Sequence, residues 1–463
     1  MPQVSFYGAT QTVTGSRFLF ETSGKKLLID CGLFQGNKEN RLRNWDSFPV
    51  SPAEIDCVFL THAHIDHSGY LPRLNKYGFS GEIYCTYATR DLCDILLHDT
   101  AHLQEEDALW ANKKGFSRHD PALPLFKISD VEETMRKFTP LYYGEDFYLA
   151  DNLRIKFKDA GHILGSAFVD IKLQINGSTE RVLFSGDLGR PDQPILRNPV
   201  QVFNVDYLIL ESTYGDRLHE PEDAAADLTR IINDSIDRGG VLLIPSFAVG
   251  RTQALLYTIR ELEELGRIPS VPVYVDSPMA INATHIFEKH RGDYDLRAKV
   301  LEIRGKNLFH PQKIHFYTER EQSISINNIK NRAIIISASG MVTGGRILHH
   351  MEQRLPDRQN TILFIGFQAE GTRGRAILEG NETVKIHGKK IDIRANIEQI
   401  SGFSAHADYN EILAWLMGFN RPPKKIFVVH GEKRASEALA EKIRNFMRTE
   451  VIIPQFGEQF DLA

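Results

Sequence analysis

Short apolar runs that end at turn or polar residues recur through the first two hundred positions of the chain. Residues 26–29, 57–60, 82–85, 153–157 and 182–184 have the length and composition of strands. Between two of them, apolar residues recur at helical spacing around positions 92–103. The pattern therefore predicts an α/β fold rather than an all-β one.

The middle of the chain has longer helical patterns that alternate with strands. Residues 224–237 and 252–265 predict helices, and residues 241–244, 271–275, 333–337 and 361–366 predict strands. This alternation indicates a second α/β unit with a parallel sheet. Because no linker rich in Gly, Ser and Pro precedes it, we expect this unit to be inserted into the first rather than appended to it.

Length and composition limit the class of protein. A chain of 463 residues exceeds the size of a single core, so two domains are expected. Its 42% hydrophobic and 25% charged residues are ordinary globular usage. The sequence has no signal-peptide pattern and no apolar run long enough to cross a bilayer, so we expect a cytoplasmic protein without membrane contact.

Charge and cysteine usage argue against two further classes of protein, those with an overall basic surface for nucleic acid and those built on disulfides or cysteine-bound metals. The formal net charge of −5 gives no overall attraction to nucleic acid, so any polyanion site must be local. The four cysteines show no C-x-x-C spacing, which argues against a disulfide framework or a thiolate metal site. Buried free thiols in a reducing compartment are expected instead.

Polar residues stand directly after several predicted strands. Asp30 follows Leu-Leu-Ile, His62 follows Val-Phe-Leu-Thr, and Asp187 follows Leu-Phe-Ser-Gly. Ligand sites in α/β folds commonly lie at the carboxyl ends of strands. The sequence therefore predicts a site there.

Four side chains that can bind a metal lie within six residues: His62, His64, Asp66 and His67. Imidazole and carboxylate without thiolate suit zinc, with manganese or iron left open. A lone histidine is more often a surface residue or a satisfied core residue. Four ionisable groups crowded after a buried strand are costly without a cation, which favours a metal site.

Two metals need ligands from elsewhere in the chain. His162 follows Gly161 and Asp187 follows Gly186, and glycine lets the backbone approach a crowded centre. Either residue alone is weak evidence. Two cations about 3.5 to 4 Å apart need a shared ligand, for which Asp187 is the natural carboxylate. Asp30 is interpreted as a residue that orients a histidine or a bound water.

These motifs resemble those of the metallo-β-lactamase superfamily, and three further segments resemble its β-CASP nucleases over almost the whole chain. Glu211 in Leu-Glu-Ser-Thr-Tyr-Gly is similar to motif A of that family. His406 in Ser-Gly-Phe-Ser-Ala-His-Ala-Asp is similar to motif B, and His430 in Val-Val-His-Gly-Glu to motif C. The three together are highly specific for β-CASP nucleases.

The resemblance implies a fold and a set of ligands. It implies a metallo-β-lactamase αββα sandwich over residues 1–211 and 395–463, with an α/β β-CASP domain inserted over residues 212–394. It implies two zinc ions, with manganese as an alternative. The implied ligands are His62, His64 and His162 for one ion, Asp66, His67 and His430 for the other, and Asp187 for both.

The resemblance also implies an activity, the hydrolysis of RNA phosphodiester bonds by a two-metal-activated hydroxide. His406 is then the candidate proton donor to the leaving 3′-oxygen, and Glu211 would hold its tautomer. The expected ends are a 5′-phosphate and a 3′-hydroxyl. Because motif C is usually valine in the DNA-repair branch of the family and is His430 here, single-stranded RNA is favoured over DNA.

A Gly/Ser segment at residues 337–346 is a candidate phosphate-binding loop. Ser339 and Gly340 can expose backbone N–H groups, and Arg346 adds a cation. Three further arginines are candidates for phosphate contacts: Arg251, Arg373 and Arg375. For each arginine a solvated surface position is the alternative.

Other readings stay open. One alternative function is that of a small-molecule hydrolase with the same fold, although a small substrate would not need the inserted unit. The other is that of a non-catalytic scaffold, although such a protein would not need every metal ligand to be present. The sequence leaves endonuclease or 5′-exonuclease mode undecided, as well as homodimer formation. With no long domain after His430, ribonuclease J-type assembly is not expected.

Overall fold

The computed structural model describes residues 1–115, 117, 119–175, 177–219, 224–366, 368 and 371–462. The chain forms two compact units. Unit 1 comprises Met1–Pro191, Asn198–Leu218 and His406–Ala463, and unit 2 comprises Asp192–Arg197 and His219–Ala405. The domain boundaries at residues 211/212 and 394/395 stay a prediction about the extent of the family domains.

The strands are short and mostly buried. In chain order they are β1 (Gln3–Phe6), β2 (Phe18–Thr22), β3 (Lys25–Ile29), β4 (Cys57–Phe59), β5 (Glu82–Thr86), β6 (Phe138–Leu141), β7 (Phe147–Ala150), β8 (Leu153–Asp159), β9 (Ala167–Ile175), β10 (Ser178–Phe184), β11 (Tyr207–Glu211), β12 (Val241–Pro245), β13 (Val273–Val275), β14 (Ile314–Phe316), β15 (Ala333–Ser337), β16 (Thr361–Ile365), β17 (Thr383–Ile386), β18 (Lys389–Asp392), β19 (Asn396–Ile400), β20 (Lys425–Val429), β21 (Glu450–Ile452) and β22 (Gln459–Asp461).

The α-helices range from a single turn to a long helix in unit 1. In chain order they are α1 (Lys38–Arg43), α2 (Ile65–Ser68), α3 (Leu71–Lys76), α4 (Tyr87–Lys114), α5 (Ile128–Met135), α6 (Ala224–Asp237), α7 (Arg251–Glu264), α8 (Pro278–Lys289), α9 (Leu296–Ile303), α10 (Arg320–Ser325), α11 (Ile347–Arg354), α12 (Arg373–Leu378), α13 (Tyr409–Met417) and α14 (Lys433–Phe446).

Unit 1 is built from two mixed sheets. Within the described residues, the first sheet has the strand order β22-β1-β2-β3-β4-β5-β6 and the second the order β21-β20-β11-β10-β9-β8-β7. Apolar residues from both sheets form one core between them, for example Phe59 of β4 against Phe157 of β8 with ring centroids 6.2 Å apart. Burial of this shared face is what holds the two sheets together.

Helices cover the outer faces of the two sheets. Residues of α13 and α14, including Trp415 and Leu439, form a second core with Phe168, Leu183 and Leu208 of the second sheet. On the first sheet, α4 contacts β5 and β6. These layers form the predicted αββα sandwich.

Unit 2 is organised around a parallel sheet with the strand order β14-β13-β15-β12-β16-β19. Its central strands β12, β15 and β16 are buried along their whole length, as expected for a parallel sheet that is covered on both faces. The predicted mixed α/β class, with a second α/β unit inserted between the parts of the first, is confirmed. Among the described residues, no helix is long and apolar enough to cross a membrane.

Candidate metal centre

The segment with four ligand-type residues forms a tight turn between β4 and α2. His62 and His64 lie in the loop after β4, and Asp66 and His67 lie in the first turn of α2, which begins at Ile65. Backbone bonds to the neighbouring loops fix this turn, including Cys31 N–H to the His67 carbonyl at 2.7 Å. A side chain at Gly32 would overlap the Asp66 carbonyl, so glycine is what allows this close approach.

All seven predicted ligands converge in unit 1, in two groups. In the first group, the ligand atoms of His62, His64, His162 and Asp187 lie within 4.8 Å of one another. In the second group, those of Asp66, His67 and His430 satisfy the same limit. Five of the predicted ligands follow β4, β8, β10 and β20, and Asp66 and His67 lie in α2, so both sheets contribute to the centre.

Asp187 lies between the two groups with one oxygen toward each. Its Oδ2 is 3.4 Å from Nε2 of both His62 and His162. Its Oδ1 is 3.3 Å from His67 Nε2 and 3.4 Å from His430 Nδ1. A carboxylate in this position can be a ligand on both sides.

The donor set fits divalent cations. Asp187 Oδ1 is buried without a hydrogen-bond partner among the described residues, which is costly for a carboxylate oxygen. Ring nitrogens also face each other, with His62 Nε2 3.1 Å from His64 Nδ1 and His67 Nε2 3.2 Å from His430 Nε2. Lone pairs that converge in this way are satisfied by a shared cation. The residues therefore suit divalent metal binding.

Burial keeps two of the histidines neutral. Burial, together with the neighbouring His67, lowers the pKa of His62 to about 3. It also lowers the pKa of His64, to about 4, against the opposing effect of Asp66. Both rings are neutral near pH 7, which is the form that binds a metal.

His67 differs because two carboxylates flank it. Burial alone would lower its pKa, but Asp187 and Asp30 outweigh burial and raise the pKa of His67 well above its ordinary value. Asp30 is fully buried, and its Oδ2 lies 2.8 Å from His67 Nδ1. Because Asp30 occupies Nδ1, His67 presents Nε2 to the cluster.

Glu211 and His406 form a pair beside the two groups. His406 Nδ1 lies 3.1 Å from Glu211 Oε1, and 3.9 Å from Asp187 Oδ2. Glu211 is fully buried at the end of β11 and also accepts from the Leu188 and Thr213 N–H groups. These bonds fix the carboxylate, so it can hold the His406 ring in one orientation.

Two hydroxyl residues at the centre were missed by sequence reasoning. Thr61 Oγ1 is 3.0 Å from His62 Nδ1 and donates to Asp30. Thr213 Oγ1 is 3.2 Å from His430 Nδ1. Both stand beside motif residues, but a threonine in a turn has no signal of its own that separates this role from an ordinary loop position.

The predicted phosphate-binding loop lies in unit 2. Ser339 Oγ is 2.9 Å from Thr343 Oγ1 and accepts from the Thr343 N–H group. Gly340 lies against Phe247, whose ring a side chain at this position would overlap. Arg346 donates to the buried Asp276 at 2.7 Å and to the carbonyls of two residues after β14.

The other three predicted arginines also have partners inside unit 2. Arg373 donates to the carbonyls of Val342, Thr343 and Lys385, so it shapes the loop that contains Ser339. Arg375 pairs with Glu379 at 2.7 Å, and Arg251 donates to the Phe403 carbonyl. These contacts use guanidinium groups that were predicted to face phosphate.

Three family models match the chain. Residues 13–237 match the metallo-beta-lactamase superfamily, and residues 252–377 match the Beta-Casp domain. Residues 390–454 match the Zn-dependent metallo-hydrolase RNA specificity domain, a segment that contains His406 and His430. The matched segments cover the described metal centre and most of unit 2.

The chain is also similar to named proteins over nearly its full length. It is 36% identical over 453 residues to a ribonuclease of Thermus thermophilus, covering 98% of each chain. It is 32% identical over 462 residues to an RNase J-like protein of Methanocaldococcus jannaschii, covering 99% of each. A transcription termination factor of the same archaeon is 32% identical over 468 residues, 98% of this chain and 70% of that one.

One solved structure has the same fold. It is a protein of unknown function from Enterococcus faecalis with a TM-score of 0.55, 15% sequence identity and full coverage of both chains. At this identity the likeness concerns the fold alone.

Proposed function

The chain belongs to the β-CASP family of metallo-β-lactamase hydrolases, and on that premise we propose that it is a two-zinc ribonuclease. Its substrate is single-stranded RNA, which it hydrolyses to leave 5′-phosphate and 3′-hydroxyl ends. The observation that carries the proposal is the position of Asp187, with Oδ2 toward His62 and His162 and Oδ1 toward His67 and His430. A pair of neighbouring cations requires a ligand that both can share, and a carboxylate between two clusters of imidazole side chains meets that requirement.

The ligands divide into two sets. One zinc ion would be held by His62, His64 and His162 and the other by Asp66, His67 and His430, and Asp187 would serve both. When bound, two such cations supply Lewis-acid activation of water and stabilise the charge that develops on a phosphoryl group. Asp30 keeps the His67 ring oriented, and Thr213 does the same for His430.

The protein itself supplies the proton for the leaving group. Glu211 accepts from His406 Nδ1, so Nε2 is the nitrogen that can deliver a proton to the 3′-oxygen. The paired carboxylate stabilises the charged imidazole before the transfer and restores its orientation afterwards. His406 belongs to neither ligand set, so loss of this ring should affect turnover rather than metal content.

RNA is supported as the substrate by the relatives. Two of the proteins described above are named as ribonucleases or ribonuclease-like, and the segment around His406 and His430 matches a domain described by its RNA specificity. Ser339, Gly340 and the arginines Arg251, Arg346, Arg373 and Arg375 stay predicted phosphate contacts, although the arginines have internal partners.

Zinc analysis combined with cleavage of labelled RNA tests the proposal. The zinc-loaded protein should cut 5′-labelled single-stranded RNA, and the new ends should be 5′-phosphates that a phosphate-dependent ligase accepts. Asp187→Asn should lose both zinc and cleavage. Asp206→Asn is the matched control, because Asp206 is equally buried but pairs with Arg421 away from the cluster.

Two results would contradict the proposal. An Asp187→Asn variant that retains two zinc ions would show that this carboxylate is not shared. Zinc-loaded protein that hydrolyses a lactone or thioester but leaves RNA intact would favour a small-molecule hydrolase. Running 5′-hydroxyl, 5′-monophosphate and circular RNAs side by side would also distinguish endonuclease from 5′-exonuclease mode.

A further inference from the structure

The outer face of the second sheet in unit 1 has an open half that carries many cations. Its side chains, here called the cationic face, come from β7 to β10: Tyr148, Arg154, Lys156, Lys158, Lys172 and Arg181. The neighbouring half of the same face, on β9 to β11 and β20, is covered by α13 and α14.

Four members of the cationic face form one row across four strands. Tyr148 lies directly opposite Arg154, Arg154 opposite Lys172, and Lys172 opposite Arg181. Side chains that are directly opposite in antiparallel strands point to the same side of the sheet and lie about 5 Å apart at Cβ. The row therefore places three cations and one aromatic ring side by side.

When no anion is bound, such a row of cations lowers the stability of the folded protein. Like charges directly opposite each other in a sheet are destabilising. The carboxylates that pair with the cationic face in the described residues are Asp146, which contacts Arg154 and Lys156, and Asp170, which contacts Lys158 and Arg181. Arg181 takes both oxygens of Asp170 and is mostly buried, so the cations left with little pairing are Arg154, Lys156, Lys158 and Lys172, in a chain whose overall charge is negative.

The crowding of charge is evident at two lysines. Burial lowers the pKa of Lys172, and the nearby Arg181 and Arg154 lower it further. Burial also lowers the pKa of Lys158, and Arg181 adds to this against the opposing effect of Asp170. A bound anion would relieve this repulsion.

The cationic face extends along β8 toward the predicted metal ligands. Arg154, Lys156 and Lys158 occupy alternate positions of β8, so their side chains recur about every 7 Å along the strand. Lys158 is the last of them, and β8 continues directly into the loop with the predicted ligand His162. At the far side, Tyr148 is 62% exposed, which leaves its ring accessible to a base.

We propose that the cationic face is a second RNA-binding site, which holds the phosphate backbone of the strand outside the scissile bond while Tyr148 stacks on a base. The proposal rests on the proposed ribonuclease function. Regularly spaced cations with an aromatic platform are the arrangement by which proteins hold single-stranded nucleic acid without reading its sequence. The site would favour long substrates over short ones.

Binding to a labelled RNA tests the site. We would measure fluorescence anisotropy with a fluorescein-labelled oligo(U) of about 20 nucleotides, using zinc-loaded protein that also carries His406→Ala so that cleavage is slow. The triple variant Lys156→Gln, Lys158→Gln, Lys172→Gln should bind about tenfold or more weakly. The slope of log affinity against log salt should also fall by about 2, since each lost contact to a single strand contributes about 0.7.

A matched control separates the face from overall charge. The variant Lys76→Gln, Lys113→Gln, Lys114→Gln removes the same three charges from α3 and α4 of unit 1. It should bind RNA like the unmodified protein. Hydrolysis of bis(p-nitrophenyl) phosphate by the zinc-loaded protein should be unchanged in both triple variants, because this substrate is too small to reach the face.

Tyr148 gives an independent arm of the test. Tyr148→Ala should weaken RNA binding about fivefold or more, since the stacked base loses its aromatic partner, and Tyr148→Phe should keep it. Equal affinity and equal salt slope in the two triple variants would overturn the proposal while leaving the ribonuclease function intact. A protein that neither binds nor cleaves RNA would overturn both.

Discussion

His406 and Glu211 belong to neither of the two proposed ligand sets, although all of these residues lie in one cluster. Glu211 is held by two backbone N–H groups and by His406 Nδ1. These bonds hold the carboxylate in place, which supports the proposal that Glu211 orients the His406 ring, although Glu211 also lies within ligand distance of Asp187 and His430. Substitutions of single residues can therefore test the proposed metal binding and the proposed proton transfer separately.

Replacing His406 by alanine should reduce kcat by about 10² to 10⁴-fold, the usual contribution of a general acid, while zinc content stays the same. Single-turnover cleavage of labelled RNA and metal analysis of the same preparation measure the two quantities. His102→Ala is a suitable control, because His102 is an exposed residue on α4. Unchanged kcat would remove the proton-donor role, and lost zinc would make His406 a ligand.

The residues with ionisable side chains were the part of the site that sequence could predict. His62, His64, Asp66 and His67 are adjacent in the chain, and His162, Asp187 and His430 each stand in a recognisable motif. Thr61 and Thr213 were not predicted because a hydroxyl gains its role only from the neighbour it contacts. Asp276, which accepts from Arg346, lies seventy residues away in the sequence. No local sequence pattern connects the two residues.

At the scale of elements, the loop after β10 illustrates how a turn positions a ligand. Gly186 has a φ of +49°, and a side chain there would meet Thr61 at 2.6 Å. Gly186 therefore lets the Asp187 loop pack against Thr61. Thr61 contacts His62 directly, and it also contacts Asp30, which orients His67.

Gly186→Ala should lower both stability and zinc affinity. The left-handed backbone costs about 1 to 2 kcal/mol for an L-residue, and displacement of Thr61 adds to that cost. Gly24→Ala is the matched control, because Gly24 has a φ of +73° with no atom within 4 Å. The apparent melting temperature should fall in both variants, but zinc affinity only in Gly186→Ala. Equal zinc affinity in the two would contradict the role of Thr61.

Asp276 joins β13, α10 and α11 in unit 2. Its side chain is fully buried and accepts from Ser323, Arg346 and His350 at 2.6 to 2.7 Å. Burial alone would raise its pKa, but the hydrogen bonds from His350, Ser323 and Arg346 outweigh burial and hold the pKa of Asp276 below its ordinary value. The ionised carboxylate is therefore the form that stabilises the fold.

The stability from Asp276 should depend on pH. A carboxylate with a lowered folded pKa stabilises above its unfolded pKa of about 3.9, and this contribution is lost as pH falls through the folded pKa. Asp276→Asn should be less stable by about 1 to 3 kcal/mol at pH 7, since it removes the charged acceptor that Ser323, Arg346 and the buried His350 share. The difference in melting temperature by circular dichroism should shrink below about pH 4. A constant difference down to pH 3 would contradict this account.

Elements with strong local periodicity were predicted closely, and those that depend on distant partners were not. Helix α6 has the predicted bounds, residues 224–237. Strand β13 begins at Val273 instead of residue 271, because Pro272 has no N–H group to donate. Strands β1 and β22 were missed, since they pair with each other from opposite ends of the chain and no local pattern encodes that pairing.

At the scale of the whole molecule, the metal centre connects the two sheets of unit 1. His62 and its neighbours follow a strand of the first sheet, whereas His162, Asp187 and His430 follow strands of the second. Bound metal should therefore stabilise the sandwich as well as supply its chemistry. A ligand at a hundred times its Kd adds about 2.7 kcal/mol to the free energy of unfolding.

Chelation should lower the melting temperature of unit 1 specifically. All three tryptophans, Trp45, Trp110 and Trp415, lie in unit 1, so tryptophan fluorescence reports on it alone. Excess EDTA should shift this transition downward, and added zinc should restore it. Asp187→Asn is the control, because its transition should not respond to EDTA. An identical transition with and without EDTA in the unmodified protein would contradict the role of metal in stability.

The order of the ligands along the chain has a consequence during synthesis. Most of unit 2, His219–Ala405, is translated after Asp187 and before His430. At about 5 to 20 residues per second, the ribosome needs on the order of ten seconds or more to pass through that stretch. A nascent polypeptide thus lacks His430, the last of its proposed ligands, until the whole of unit 2 has been synthesised. A product truncated before His430 would therefore carry an incomplete proposed site.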